Sequence, residues 1–227
     1  MAAEPMTYTG HARAIAVLGL PLIGGHLAQI AIGATDTVMM GRYGVDELAA
    51  IGLAGTYFFV FFLMGSGFAW AVMPMVASFD AEGDPVSVRR ATRMGIWLSL
   101  LFGVLALPAL LFAEPILLLL QQEASVAANA AAYLQIAGFG LIPALLVMVL
   151  KSFLSALERT QIVLWITLLA ALANALGNYI LIFGNWGAPE LGLQGAAIAS
   201  IVTQAVSLAG VLIYCVRAVP QYDLFTR

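Results

Sequence analysis

One acidic residue, Asp36, lies within a long apolar run near the start of the chain. A carboxylate at the centre of a membrane-spanning helix costs roughly 2.5–3.5 kcal/mol on insertion scales, and such residues usually face a protein interior or a water-filled path. Asp36 is therefore the first candidate for a functional group. The alternative interpretation is that Asp36 lies at the headgroup level of the outer leaflet and helps to end the first span.

The residues around Asp36 form a polar stripe if this run is helical. At 100° per residue, His26, Gln29, Gly33, Asp36 and Thr37 fall within an arc of roughly 100°. His26 is interpreted as an interior histidine rather than a metal ligand, because no second His, Cys or acid stands near it at ligand spacing. We expect the stripe to face water or protein, with His26, Gln29 and Thr37 supporting the acid or lining a substrate cavity.

Two later apolar runs carry polar stripes of their own. Asn174 and Asn178 are spaced by one helical turn, and Thr167 lies two turns before Asn174 on the same face. Those asparagines have an alternative role as hydrogen-bonding contacts between helices, which contribute about 0.6 kcal/mol each in membrane interiors. The second stripe lies in the last apolar run and consists of Ser200, Thr203, Gln204 and Ser207.

The polar residues of the three runs also match in depth. Counted from the outward ends of the runs at about 1.5 Å per residue, Asp36, Asn178 and Ser200 lie within roughly 5 Å of one level. We therefore predict one site made of Asp36, Asn174, Asn178 and Ser200. Such a site suits a titratable proton carrier or an oxygen cage for a hard cation, which would be Na⁺ at Asp36, Asn174 and Asn178. No other metal and no organic cofactor is expected.

The elements that must position these residues are membrane-spanning helices. Of the 227 residues, 63% are hydrophobic and 9% are charged, and the mean hydropathy is +1.00. Soluble domains carry about 25% charged residues, so this composition predicts an all-α membrane protein with the lipid bilayer as its partner. We expect a six-transmembrane-helix bundle over 13–217, with a segment 1–12 before it and a tail or linker 218–227 after it. The predicted spans are 14–39, 49–77, 94–113, 126–150, 161–183 and 193–216.

The distribution of Lys and Arg predicts the orientation of the bundle. Eight of these residues fall in alternate segments between the spans, and Arg42 alone falls in the others. By the positive-inside rule, we expect both termini on the cytoplasmic side of a bacterial-type inner membrane. The eight are Arg13, Arg89, Arg90, Arg93, Lys151, Arg159, Arg217 and Arg227. Since the nine cations are dispersed and the net charge is -3, nucleic acid is excluded as a partner. The sequence also lacks paired acids or a Ser/His set typical of an enzyme.

The order and spacing of several short motifs resemble one transporter family. The motifs are Pro21 to Thr37, Gly41, Gly44, Leu48-Ala49-Ala50, Ala81-Glu82-Gly83-Asp84, Arg89-Arg90, Asn174 to Leu181, Gly187 to Gly192 and Gly195-Ala196-Ala197. With these motifs in this order, the chain is similar to the amino-terminal part of the multidrug and toxic compound extrusion (MATE) transporters. The resemblance implies a cation-coupled antiporter that exports amphiphilic, often cationic, organic compounds in exchange for H⁺ or Na⁺. It also implies twelve spans in two lobes, so that a second six-helix lobe is expected from the same longer chain or from a second copy.

The resemblance further implies roles for individual residues. The family has an acid on span 1, polar side chains on span 5 and a hydroxyl on span 6, which match Asp36, the pair Asn174 and Asn178, and Ser200. Pro21 matches a proline where span 1 bends in some members. Asn178 departs from those relatives that have an aspartate there, which leaves H⁺ and Na⁺ both open as the coupling ion. The alternatives are a lipid-linked oligosaccharide flippase of the same superfamily, expected to have a more cationic cavity, and a six-span channel or structural subunit without antiport.

Overall fold

Residues 7–224 are described by the computed structural model, and these residues form helices and connecting turns without a β-strand. Six helical segments are long and apolar enough to cross a membrane, so the predicted all-α six-span bundle is confirmed. The fourth span consists of two helices joined by a short 3₁₀ segment at Gly138–Gly140. The helices are α1 (Tyr8–Tyr43), α2 (Val45–Ala81), α3 (Pro85–Leu111), α4 (Ala113–Leu119), α5 (Ala124–Ala137), α6 (Leu141–Ala156), α7 (Thr160–Leu181) and α8 (Gly192–Ala218).

The helix that contains the third predicted span begins a full two turns before residue 94. Asp84 is its N-cap: the side chain accepts hydrogen bonds from the backbone N–H groups of Val86 (3.0 Å) and Ser87 (3.1 Å), and Pro85 occupies the first turn. Hydropathy alone places the boundary too late because the first turns of α3 carry Arg89, Arg90 and Arg93.

Lowering the pH is expected to weaken the start of α3. The hydroxyl and backbone N–H of Ser87 donate hydrogen bonds to Asp84 and hold the pKa of that carboxyl below its ordinary value of 3.8. Because the folded-state pKa is lowered, this stabilisation is present above pH ~4 and is lost as the pH falls through the folded pKa. Asp84→Asn keeps a good N-cap but cannot titrate. In thermal unfolding scans in detergent, the wild type should unfold at a higher temperature than this variant at about pH 6, and the difference should disappear by about pH 3. A difference that stays constant over this range would contradict this role.

The helices alternate in direction, which gives the bundle two distinct ends. One end contains the end of α2, the start of α3, the turn between α6 and α7, and the end of α8. We call it the arginine-rich end, since Arg89, Arg90, Arg93, Arg159 and Arg217 lie there. The other end, called the opposite end, contains the junction of α1 and α2, the short helix α4, and the turn between α7 and α8.

Apolar packing forms one cluster toward each end of the bundle. The cluster at the opposite end is built around the fully buried side chains of Met40, Leu134 and Ile182, and the cluster at the arginine-rich end around Val88 and Phe153. Helix α1 is peripheral: Ala28 and Met40 are its only buried residues within the described part of the chain. Its main neighbour is α7, so α7 positions whatever α1 carries.

Close approach of α7 and α8 depends on a glycine. A Cβ at Gly195 would lie 2.6 Å from the carbonyl carbon of Leu181 and 3.0 Å from the backbone nitrogen of Ile182. The residues before α8 are tied to the same place, because the N–H of Leu191 donates to the Leu181 carbonyl at 3.0 Å. Gly195 therefore lets the start of α8 pack on the end of α7, backbone against backbone.

The residues that follow α8 fold back onto the arginine-rich end. The ring of Tyr222 packs edge-on against Phe153 at 5.7 Å, and its hydroxyl donates a hydrogen bond to Asp80. Arg93 Nε donates to the carbonyl of Leu224 at 2.7 Å. Burial and the neighbouring Asp80 carboxylate raise the pKa of Tyr222 to about 12, so this phenol remains a donor at neutral pH. The first part of the predicted tail or linker 218–227 is thus fixed to the bundle, and residues 225–227 lie outside the described part.

Candidate functional site

Asp36 lies where α1 packs against α7, and it contacts both predicted asparagines. Its Oδ1 accepts hydrogen bonds from Nδ2 of Asn174 at 2.9 Å and from Nδ2 of Asn178 at 2.5 Å. Helix α1 continues for almost two turns beyond Asp36 to Tyr43. Helix α1 therefore does not end at Asp36, and the level of Asp36 in the membrane stays a prediction.

Helix α7 supplies the two asparagines because its buried face repeats every three or four residues. Its members are all buried, and the spacing places them on one side of a helix. Both asparagine side chains are completely shielded from solvent. A buried amide must find partners. The ionised carboxylate of Asp36 accepts hydrogen bonds and cannot donate them, so it orients both NH₂ groups toward itself. This face comprises Thr160, Val163, Ile166, Thr167, Ala170, Asn174 and Asn178.

Two amide oxygens and the carboxylate together make the site rich in acceptors. Asn174 Oδ1 receives a long hydrogen bond of 3.4 Å from Asn178 Nδ2. Asn178 Oδ1 is buried and has no hydrogen-bond partner among residues 7–224. A buried acceptor without a donor is costly. Carboxylate and amide oxygens are the ligands preferred by hard cations, so this donor set fits Na⁺ or a proton on the carboxylate.

Ser200 does not contact Asp36 directly, which corrects the predicted four-residue site. The Ser200 hydroxyl lies 3.3 Å from the hydroxyl of Tyr133 on α5. Tyr133 is a buried residue of α5. Ser200 thus pairs with Tyr133 rather than with Asp36, and the sequence analysis did not include Tyr133. Tyr133 follows Ser125 and Asn129 at spacings of four in an alanine-rich run, and this short polar stripe is the signal that could have indicated it.

The predicted stripe on α1 divides into two parts. Asp36 is half-buried against α7, whereas His26, Gln29 and Thr37 are exposed in this chain. His26 lies outside the packed face of α1 in this chain, and its interpretation as an interior histidine of the whole protein stays a prediction. Thr37 satisfies its own helix by donating to the Gly33 carbonyl at 2.8 Å. Asp36 therefore marks the boundary between the α7 contact and an exposed polar face.

The remaining predicted residues stand apart from the Asp36 contact. Gln204 is half-buried on α8, and no hydrogen bond is recorded for it within the described chain. Pro21 lies inside α1, which continues as a helix on both sides of it. Among residues 7–224, no group of three or more His, Cys, Asp or Glu is arranged to hold a metal ion.

A cavity adjoins the site from the opposite end of the bundle. It has a volume of about 410 Å³ and lies between the ends of α1 and α7, with Met39, Arg42 and Tyr179 among its lining residues. Met39 is one turn after Asp36, and Tyr179 directly follows Asn178. The geometry thus gives the Asp36 site a neighbouring space toward that end.

Lys151 is a second charged group inside the bundle, and its position corrects the predicted loop 151–160. Helix α6 extends to Ala156, so Lys151 lies within it, and its Nζ donates to Thr167 Oγ1 of α7 at 2.9 Å. Thr167 in turn donates to the Val163 carbonyl at 2.7 Å. No acidic side chain forms a salt bridge with Lys151 within residues 7–224. The polar stripe of α7 therefore contacts an acid on one turn and a cation about 10 Å further along the axis.

Replacing Lys151 with Met is expected to leave the stability unchanged or to raise it by up to about 2 kcal/mol. The change removes a half-buried charge whose hydrogen-bond partner within residues 7–224 is a neutral hydroxyl, and burial of a charge without an ion pair is unfavourable. Thermal unfolding in detergent measures the effect, with Lys151→Arg as the control that keeps the charge. A marked loss of stability in Lys151→Met would show that the ammonium stabilises the fold.

The sequence of this chain matches one family of known proteins. The family model for MatE matches residues 21–180. The chain is 47% identical over its whole length to a probable multidrug resistance protein NorM from Rhizobium meliloti, of which it covers 49%. It is 44% identical over 97% of its length to a protein of the same description from Agrobacterium fabrum, of which it covers 48%. The chain thus spans about half the length of these curated relatives.

Solved structures with the same fold have much lower sequence identity. A multidrug resistance MATE family transporter of the MOP superfamily, in an outward-facing conformation, superposes with a TM-score of 0.83 at 20% identity. That match covers 94% of this chain and 47% of the other. A eukaryotic MATE transporter superposes with a TM-score of 0.87 at 18% identity, with 95% and 48% of the two chains covered. These structures establish the likeness of fold.

Proposed function

Because this chain belongs to the MatE family, we propose that it is the amino-terminal lobe of an antiporter that exports amphiphilic or cationic organic compounds in exchange for H⁺ or Na⁺. The protein is a multi-pass integral membrane protein. Its curated relatives are named as multidrug resistance proteins, and the chain covers about half of each. A second six-helix lobe, in the same longer chain or in a second copy, completes the transporter. In this proposal the protein catalyses no chemical reaction.

The observation that carries this proposal is the contact of Asp36 with Asn174 and Asn178. An acid inside a membrane-spanning bundle has two states, charged and neutral, and the two amide NH₂ groups favour the charged state. Binding of H⁺ or Na⁺ cancels that charge. The unpaired oxygen of Asn178 supplies a further ligand for a cation. The coupling ion therefore changes the interactions that hold α1 against α7.

Exchange follows if the loaded and empty states favour different arrangements of the lobe. A ligand shifts an equilibrium only by its differential affinity for the two states. Here the ion changes the α1–α7 contact, and we expect α1 to bend at Pro21. The exported compound occupies the space beside the exposed polar face of α1, with His26, Gln29, Thr37 and Gln204 as lining residues. Alternating access then moves this lobe against the second one.

For orientation, we propose that the arginine-rich end faces the cytoplasm of a bacterial-type inner membrane, with both termini on that side. Support comes from the excess of arginine at this end. Lys151 does not contribute to that excess, because it lies inside the bundle. The acceptor site near Asp36 is then in the outer half of the membrane.

The test is transport by a complete two-lobe protein. The chain, joined to the remaining half of the Rhizobium meliloti relative, is reconstituted into vesicles loaded with a fluorescent cationic dye. An imposed H⁺ or Na⁺ gradient should drive dye movement against its own gradient, and a collapsed gradient should stop it. Steady conductance without dye coupling would support a channel, and movement of a lipid-linked sugar would support a flippase; either result in place of coupled dye movement overturns the proposal.

A further inference from the structure

A cavity at the arginine-rich end contains charged residues that the proposed transport function does not use. Its volume is about 400 Å³, and it lies between α1, the turn that precedes α7, and the end of α8. This volume falls within the range of roughly 300–1,000 Å³ that is usual for ligand sites. The lining residues include Val17, Glu158, Arg159, Trp165 and Tyr214.

Two side chains of opposite charge stand next to each other at the rim. Glu158 and Arg159 both line the cavity and are exposed, and neither forms a salt bridge within the described part of the chain. The turn that presents them is fixed by two backbone hydrogen bonds, from Glu158 N–H to the Ser155 carbonyl and from Arg159 N–H to the Leu154 carbonyl. Glu158 has a left-handed backbone with a φ of 58°, which is unfavourable for a residue with a side chain.

The inner wall of the cavity is apolar and suits the membrane interface. Val17 of α1 and Trp165 of α7 are 49% and 65% exposed, respectively. Trp165 lies little more than one turn into α7, and Tyr214 lies one turn before the end of α8. Trp and Tyr are enriched at the level of the lipid headgroups. The cavity therefore has a charged rim above an apolar wall. A lipid has the same arrangement, with a polar headgroup above an acyl chain.

We propose that this cavity binds a zwitterionic phospholipid whose headgroup carries a primary ammonium, that is, a phosphoethanolamine lipid. Arg159 binds the phosphate, for which a guanidinium offers paired N–H donors. Glu158 accepts hydrogen bonds from the ammonium. The start of one acyl chain lies along Val17 and Trp165.

Charge and hydrogen-bonding complementarity exclude the other common headgroups. A glycerol headgroup satisfies Arg159 through its phosphate but offers no cation to Glu158. A choline headgroup has the right charges, but its quaternary nitrogen has no N–H to donate to the carboxylate. The ethanolamine headgroup is the one that satisfies both side chains.

The experiment is lipid binding to the delipidated 227-residue chain in detergent, measured by native mass spectrometry. Phosphatidylethanolamine, phosphatidylglycerol and phosphatidylcholine with identical acyl chains are offered together. We expect phosphatidylethanolamine to be retained about three- to fivefold over the other two, the scale of one exposed ion pair. Glu158→Gln should remove this preference over the other lipids, and Arg159→Gln should weaken the binding of all three. Arg42→Gln, in the cavity at the opposite end, is the matched control and should change nothing.

Further arms separate the lipid from other sources of the same chemistry. Soluble glycerophosphoethanolamine should not compete at concentrations that match the lipid, since it lacks the acyl chain. Effective competition would mean that the site binds a free phosphate ester, and it would overturn the lipid assignment. Glu158→Gly relieves the left-handed backbone and should bind like Glu158→Gln, which guards against a folding defect. Equal retention of the three lipids by the wild type, or unchanged preference in Glu158→Gln, would also overturn the proposal.

Discussion

Replacing Asp36 with Asn is expected to abolish gradient-driven efflux in the complete two-lobe protein, to the level of protein-free vesicles. An amide cannot take up or release a proton and carries no charge to hold Na⁺. The variant should still fold, because Asn has nearly the same volume and its oxygen can accept the hydrogen bonds that Asn174 and Asn178 now donate at 2.9 Å and 2.5 Å. Dye efflux from reconstituted vesicles under an imposed H⁺ or Na⁺ gradient measures the effect.

The control for this variant is Asp46→Asn, which makes the same chemical change at an exposed acid in the first turn of α2. It should transport like the wild type. Both variants should elute as single species and unfold within a few degrees of the wild type, so that lost transport reflects the ion site. Gradient-driven efflux by Asp36→Asn at the wild-type rate would disprove the assigned role of this carboxylate.

A single methyl group at Gly195 is expected to destabilise the bundle more than any other small substitution proposed here. In Gly195→Ala the new Cβ would meet the carbonyl carbon of Leu181 at 2.6 Å and the nitrogen of Ile182 at 3.0 Å. Both atoms belong to backbone, so no side-chain rotation relieves the contact. The helices must separate, and overpacking of this kind destabilises a protein by about 1–3 kcal/mol or more. Thermal unfolding in detergent should show a drop of several degrees.

The opposite sign is expected at Gly67. This glycine lies in α2, and a Cβ there would meet nothing within 4 Å. Gly67→Ala should therefore gain the helix propensity of alanine, about 0.5–1 kcal/mol, without a steric cost. The contact argument for Gly195 is refuted if both variants shift the unfolding temperature in the same direction by similar amounts.

Periodicity and depth were enough to predict the contact between Asp36 and the two asparagines. Both asparagines occupy the buried face of a helix that packs on α1, and each element has one position at the level of the acid. The roles of these residues in transport remain predictions. Ser200 satisfied the same criteria yet its hydroxyl contacts Tyr133 rather than Asp36, because depth along the membrane normal leaves the lateral position of a residue undetermined.

Other features were beyond the reach of a pattern. Hydropathy ended the fourth span at the charge of Lys151, whereas the helix continues and Thr167 of α7 accepts a hydrogen bond from that charge. His26 shares an arc with Asp36, but a peripheral helix has one packed face and the sequence does not tell which helix is peripheral. The return of Tyr222 to Asp80 joins residues far apart in the chain, and neither residue belongs to an apolar repeat.

A mechanical consequence follows from the connection between α1 and α2. These two long helices are separated by one residue, Gly44, which has an extended backbone, and Met40 beside it is completely buried. So short a joint prevents axial sliding of one helix past the other and leaves only their mutual angle free. The connection therefore acts as a hinge for α1. A small tilt of α1 at the Asp36 contact becomes a larger displacement at the far end of the helix, beyond Pro21.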